Sequence, residues 1–127
     1  MIYDCFIFNN EVELLELRLN ILDPYVDKFV LTEGDTTFSG LPKESVYLQN
    51  KERFAKWEDK IIHNFIEIPD LPTTWDREIY SRNSPVSLGV FEDDDLILSS
   101  DLDEIPNPEI LEAVDEWSIF SAPVMNK

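Results

Sequence analysis

The sequence predicts an α/β domain, a mostly parallel sheet with flanking helices. Short apolar runs alternate along the chain with amphipathic stretches of helical length, the signature of βαβ units. The breaks between them fall at Asn, Asp, Gly and Pro residues, which favour turns. A hydrophobic fraction of 43% over 127 residues suffices for one buried core.

Residues 2–8 form an apolar, aromatic run with a single acid, Asp4, and read as a buried strand. Asn10 with Glu13 fits an N-cap and its capping-box partner. Val12, Leu15, Leu19 and Leu22 then recur at helical spacing, and Asp23-Pro24 ends that helix. Residues 28–32 read as a second strand, and residues 33–43, with Gly34, Gly40 and Pro42, as a loop. Residues 50–59 look helical, with Phe54 and Trp57 three apart, and residues 60–68 make a third strand. A helix over residues 75–83 closes near Pro85, and residues 95–100 supply a fourth strand. Asn107 with Pro108 behind it starts a last helix through Trp117, and residues 119–124 open one more strand.

Twenty-seven acids against ten bases give a formal charge of −17. Such a surface repels phosphate backbones and anionic bilayers, so nucleic acid and membrane surfaces are not the expected partners. It leaves metal cations, cationic partners, or anionic ligands that arrive with a metal. The lone Cys5 excludes an internal disulfide framework. No apolar run is long enough to span a membrane. The first residues lack a basic leader, and the expected address is the cytoplasm.

The acids are unevenly placed. Eleven fall between Glu92 and Glu116, and no Lys or Arg occurs between Arg82 and Lys127. In open α/β sheets ligands bind beyond the carboxyl ends of the strands. Three polar clusters fall there: Asn9-Asn10, Glu33-Gly34-Asp35, and Asp101-Leu102-Asp103-Glu104. Asp101 and Asp103 leave the apolar run Leu96-Ile97-Leu98 two residues apart, with Pro106 shaping the exit. Hard cations such as Mn²⁺ or Mg²⁺ accept one or two carboxylates plus substrate phosphates. Aspartate-nucleophile phosphatases share this spacing, but their Thr or Val position holds Ile105 here, and too little chain follows for their later motifs. Arg82 is a candidate phosphate or carboxylate clamp, and Glu33 a ligand for a sugar hydroxyl or for Arg82. His63, inside an apolar strand, is expected to be structural, as is Cys5. Of Trp57, Trp75 and Trp117, Trp75 beside a loop is the best candidate for a sugar platform.

Several segments together resemble family 17 glycosyltransferases. They are Tyr3 to Glu11, Glu13 to Leu19, Val26 to Glu33, Thr37 to Lys43, Trp75 to Glu78 with Arg82-Asn83, and Ser100 to Pro106. Their order carries as much of the resemblance as any one of them. It implies a GT-A-like (Rossmann-like) fold, a UDP-sugar donor, a divalent cation (Mn²⁺ or Mg²⁺), and transfer of a sugar, GlcNAc in related enzymes, to a glycan acceptor with inversion. Asp101 and Asp103 match the family's acidic motif and would hold metal and diphosphate. Asn9, Glu33 and Arg82 match positions near the donor end of the sheet. The resemblance implies one nucleotide-sugar-binding domain over residues 1–127 that lacks most of the acceptor-side half, a bacterial or viral relative of the membrane-anchored enzymes. A partner chain or homo-oligomer would complete it. The alternatives are an inactive metal- or nucleotide-binding remnant and an acidic interaction module. No general base is assigned.

Overall fold

The computed structural model describes residues 1–37 and 39–109. Its strands are β1 (Ile2–Ile7), β2 (Lys28–Gly34), β3 (Ile61–Ile66) and β4 (Leu96–Ser99). They form one sheet in the order β3-β2-β1-β4, with every neighbouring pair parallel. The chain moves outward from β1 to β3 and then returns to the other side of β1. The order therefore reverses between β1 and β4, where open parallel sheets place their ligand crevice. Register runs from Tyr3↔Lys28 to Ile7↔Thr32 on one side of β1, and from Ile2↔Leu96 to Cys5↔Ser99 on the other.

Helix α1 (Val12–Leu22) crosses from β1 to β2. It buries Leu15, Leu19 and Leu22 completely in a cluster with Phe6, Phe29 and Leu31 of the sheet and Phe8 just after β1. Each such side chain contributes roughly 1.5–3 kcal/mol by leaving water. Helix α2 (Val46–Gln49) and a 3₁₀ segment (Lys51–Trp57) extend the same layer with Tyr47, Phe54 and Trp57. The opposite face carries a smaller cluster of Tyr3, Cys5 and Val30, covered by Leu88 and Phe91. Tyr3 and Phe91 meet edge to face at 4.8 Å. Helix α3 (Thr74–Asn83) and a second 3₁₀ segment (Ser84–Leu88) lead back to β4. Thr73 caps α3 by accepting the Asp76 amide at 3.1 Å, while its hydroxyl donates to the Asp76 carboxylate.

Two local expectations change. The capping box at Asn10 and Glu13 does not form: the N-cap is Glu11. The Glu11 carboxylate turns back to accept the Asn9 and Asn10 amides, so α1 starts at Val12. The helix expected over residues 50–59 is instead the 3₁₀ segment, with the short α2 just before it. Ser45 caps α2 through the Leu48 amide, and Asn50, at φ −117° and ψ 22°, breaks the run before the 3₁₀ turn begins. Before β4 the acids Asp93 to Asp95 make a turn in which Asp95 accepts the Glu92 amide and pairs with the N-terminal amine at 3.0 Å. Residues 108–109 open a helical turn. The rest of that helix and the strand expected at 119–124 lie outside the described residues.

Candidate functional site

Two of the three polar strand ends share one cleft. Asn9 follows β1, and Asp101 and Asp103 follow β4. With Glu11 and Glu78 they line an opening of about 230 Å³ whose apolar part includes Leu14 and Leu102. Arg82 joins from α3: one terminal nitrogen donates to Asp101 at 2.7 Å and to Glu78 at 2.9 Å. Burial works against the Arg82 charge, but these two carboxylates outweigh it and raise its pKa further. The Asp103 carboxylate has no hydrogen-bond or ion-pair partner among the described residues, whereas Glu104 is engaged, accepting the Asp101 amide at 3.1 Å. Four acidic residues, Glu11, Glu78, Asp101 and Asp103, thus line the opening, and Arg82 pairs with two of them, Glu78 and Asp101.

Behind the cleft stands Arg18, which the sequence reading did not single out. It lies on α1 among Leu15, Leu19 and Leu22 and is fully buried. Nε and Nη2 grip Asp4 of β1 at 2.8 and 2.6 Å. Nη2 also donates to the Ser100 hydroxyl at 2.7 Å. Nη1 donates to the carbonyls of Asp101, Leu102 and Glu104, at 2.8, 3.0 and 3.2 Å. All five guanidinium hydrogens have acceptors. Two charged residues inside apolar elements were the available signal, since ions are almost never fully buried unless paired.

The glycosyltransferase family 17 model matches residues 1–122. The chain belongs to glycosyltransferase family 17. No curated protein and no solved structure matches it. In this glycosyltransferase chain the four parallel strands and flanking helices make the Rossmann-like α/β core expected of the family.

Glu33, the third expected donor-end residue, takes part in a different arrangement. It is fully buried on the α1 side of the transferase sheet, where alternation from Phe29 and Leu31 places it. Its oxygens accept from Lys43 and Ser45, both at 2.7 Å, and from the Val46 amide at the start of α2. His63 Nε2 lies 3.0 Å away, in the hydrogen-bonded role expected of it. Arg82 is not among these partners, because it is held at Asp101. Burial pushes the Glu33 pKa up, but the bonds from His63, Lys43, Ser45 and the Val46 amide prevail and hold it down at about 2. A carboxyl depressed on folding contributes stability that is present above its ordinary pKa of 4.5 and is lost as pH falls toward 2. Denaturant titrations across that window should show Glu33→Gln less stable than wild type at neutral pH and converging with it in acid. Parallel acid limbs would remove Glu33 as the cause.

As for a metal, no group of three or more His, Cys, Asp or Glu among the described residues is gathered to hold an ion alone. Asp101 and Asp103 are oxygen donors of the kind Mg²⁺ and Mn²⁺ take, and two carboxylates leave the remaining positions to water and ligand oxygens. The pair suits such an ion jointly with a bound phosphate. No helix among the described residues is long and apolar enough to cross a membrane.

Proposed function

We propose that this glycosyltransferase binds a UDP-sugar by its diphosphate in the cleft between the ends of β1 and β4, together with Mn²⁺ or Mg²⁺. It then transfers the sugar, GlcNAc by resemblance, to a glycan acceptor with inversion. The observation that carries the reading is the charge of the cleft: four carboxylates and one arginine. An anionic diphosphate is repelled there unless a cation accompanies it.

In this reading Asp101 and Asp103 hold the ion. When bound, it neutralises the charge that develops on the departing diphosphate. Arg82 is the basic group positioned to exchange its Asp101 partner for a phosphate oxygen, as a guanidinium fork suits both. Asn9 offers its side-chain amide to donor hydroxyls. Glu33 acts from behind, by fixing α2 and His63 at the end of β2. Trp75 is 66% exposed and shares a face of α3 with Glu78 and Arg82, at i, i+3 and i+7. Its indole therefore offers a stacking surface for a sugar beside the cleft.

A thermal-shift titration tests the donor reading. UDP with Mn²⁺ should stabilise the protein by about 2.7 kcal/mol at a hundredfold excess over Kd, and neither alone should approach that. No metal-dependent shift at saturating UDP overturns the reading. A full shift with no release of UDP from UDP-GlcNAc, with or without acceptors, limits the chain to binding.

A further inference from the structure

We propose that Arg18, clamped by Asp4, is the positioning residue for the turn that presents Asp101 and Asp103, an inference that rests on the donor reading above. Arg18 does not line the cleft. It acts through what it holds.

A plain helix-to-strand ion pair would need only the Asp4 contacts. Here the rest of the fork goes to a single short stretch: the Ser100 hydroxyl and the carbonyls of Asp101, Leu102 and Glu104. Ser100 extends the grip by donating to the Glu104 carbonyl at 3.1 Å. The Glu104 amide closes the turn on the Asp101 carbonyl at 2.9 Å. With these carbonyls drawn inward and Leu102 buried at 4% exposure, Asp101 and Asp103 are left on the outside of the turn. A buried ion pair is weak evidence for stability, because apolar residues of similar volume often serve as well. Orienting the groups behind a metal ligand is a role such a pair can fill, and losing it typically costs 10- to 100-fold in affinity.

The test separates orientation from folding. In Asp4→Leu/Arg18→Met both charges are replaced together, so the fold is expected to keep near wild-type stability in urea. Two further measurements are made on it. Amide hydrogen exchange at Glu104 should quicken by about ten-fold while the β1–β2 ladder keeps its protection. Calorimetric affinity for UDP in the presence of Mn²⁺ should fall roughly 10- to 100-fold. A folded double variant with wild-type exchange at Glu104 and wild-type UDP–Mn²⁺ affinity makes Arg18 merely structural and overturns the proposal. If the double variant does not fold, Arg18→Lys decides on the same readings, since it keeps the pair with Asp4 but cannot fork to the carbonyls. If the wild-type protein itself does not bind UDP with Mn²⁺, the donor reading fails, and exchange at Glu104 alone judges whether Arg18 sets the turn.

Discussion

Asp103→Ala is expected to abolish metal-dependent UDP binding and to cut sugar transfer by more than about 100-fold, the effect of losing about 3 kcal/mol of charge stabilisation on the leaving diphosphate. The same substitution should leave stability within about 0.5 kcal/mol, because an exposed residue away from caps and networks contributes little. Asp103 is exposed and its carboxylate has no partner among the described residues. The Asp101→Ala variant is a less clean probe. It also releases Arg82, whose 2.7 Å bond to Asp101 is one of its two side-chain hydrogen bonds among the described residues. Asp103→Asn separates charge from shape: it keeps the volume and one acceptor oxygen but loses the ionic ligand, and should behave like the alanine variant. Calorimetry with UDP and Mn²⁺, beside a urea denaturation curve, reads both halves. An Asp103→Ala protein that still shows metal-dependent binding places the ion elsewhere.

Arg18→Leu alone should destabilise the fold by about 3–5 kcal/mol, since it leaves a buried carboxylate without its counter-ion. That is a large share of the roughly 5–15 kcal/mol that holds a domain together. Both partners have fully buried side chains, so water cannot take over the missing contacts. Asp4→Leu should cost a similar amount for the mirror reason, the stranded guanidinium retaining only the turn's neutral acceptors. The two losses should not add. A double-mutant cycle in urea is expected to show strong coupling, with the paired replacement recovering most of what each single change loses. A single-variant loss below about 1 kcal/mol means the pair is less desolvated than the geometry indicates.

The strands were readable because each is an apolar run bounded by turn residues, and their ends came within two residues of the expected positions. The Asp101-Leu102-Asp103 turn was readable for the same reason: the apolar Leu96-Ile97-Leu98 had to deliver it to a strand end. What the sequence hid was pairing across distance. Asp4 looked like one acid in a strand and Arg18 like one charge in a helix, and nothing in their fourteen-residue separation says that they meet. Glu33 was placed correctly at the end of β2, but its neighbours come from a loop, a short helix and β3. Only the folded sheet shows that the carboxylate faces them and not the cleft. Short-range competition misled as well: the Glu11 side chain took the Asn10 amide that Glu13 would have accepted in the expected capping box.

The strand order has a kinetic side. β1 pairs first with its near neighbour β2, but its other edge waits for β4, which lies ninety-four residues away at the Ile2↔Leu96 pairing. Contacts so distant in sequence are slow to form, because loop closure must precede them. During synthesis, which proceeds from the N-terminus, β1 to β3 and α1 are complete while that edge is still bare, and a bare strand edge invites pairing with other chains. The Arg18–Asp4 clamp can close in this early half, with its remaining donors turned toward a segment not yet made. The cleft is therefore the last part of the described fold to be assembled, and β4's arrival both seals the vulnerable edge and brings the carboxylates into place.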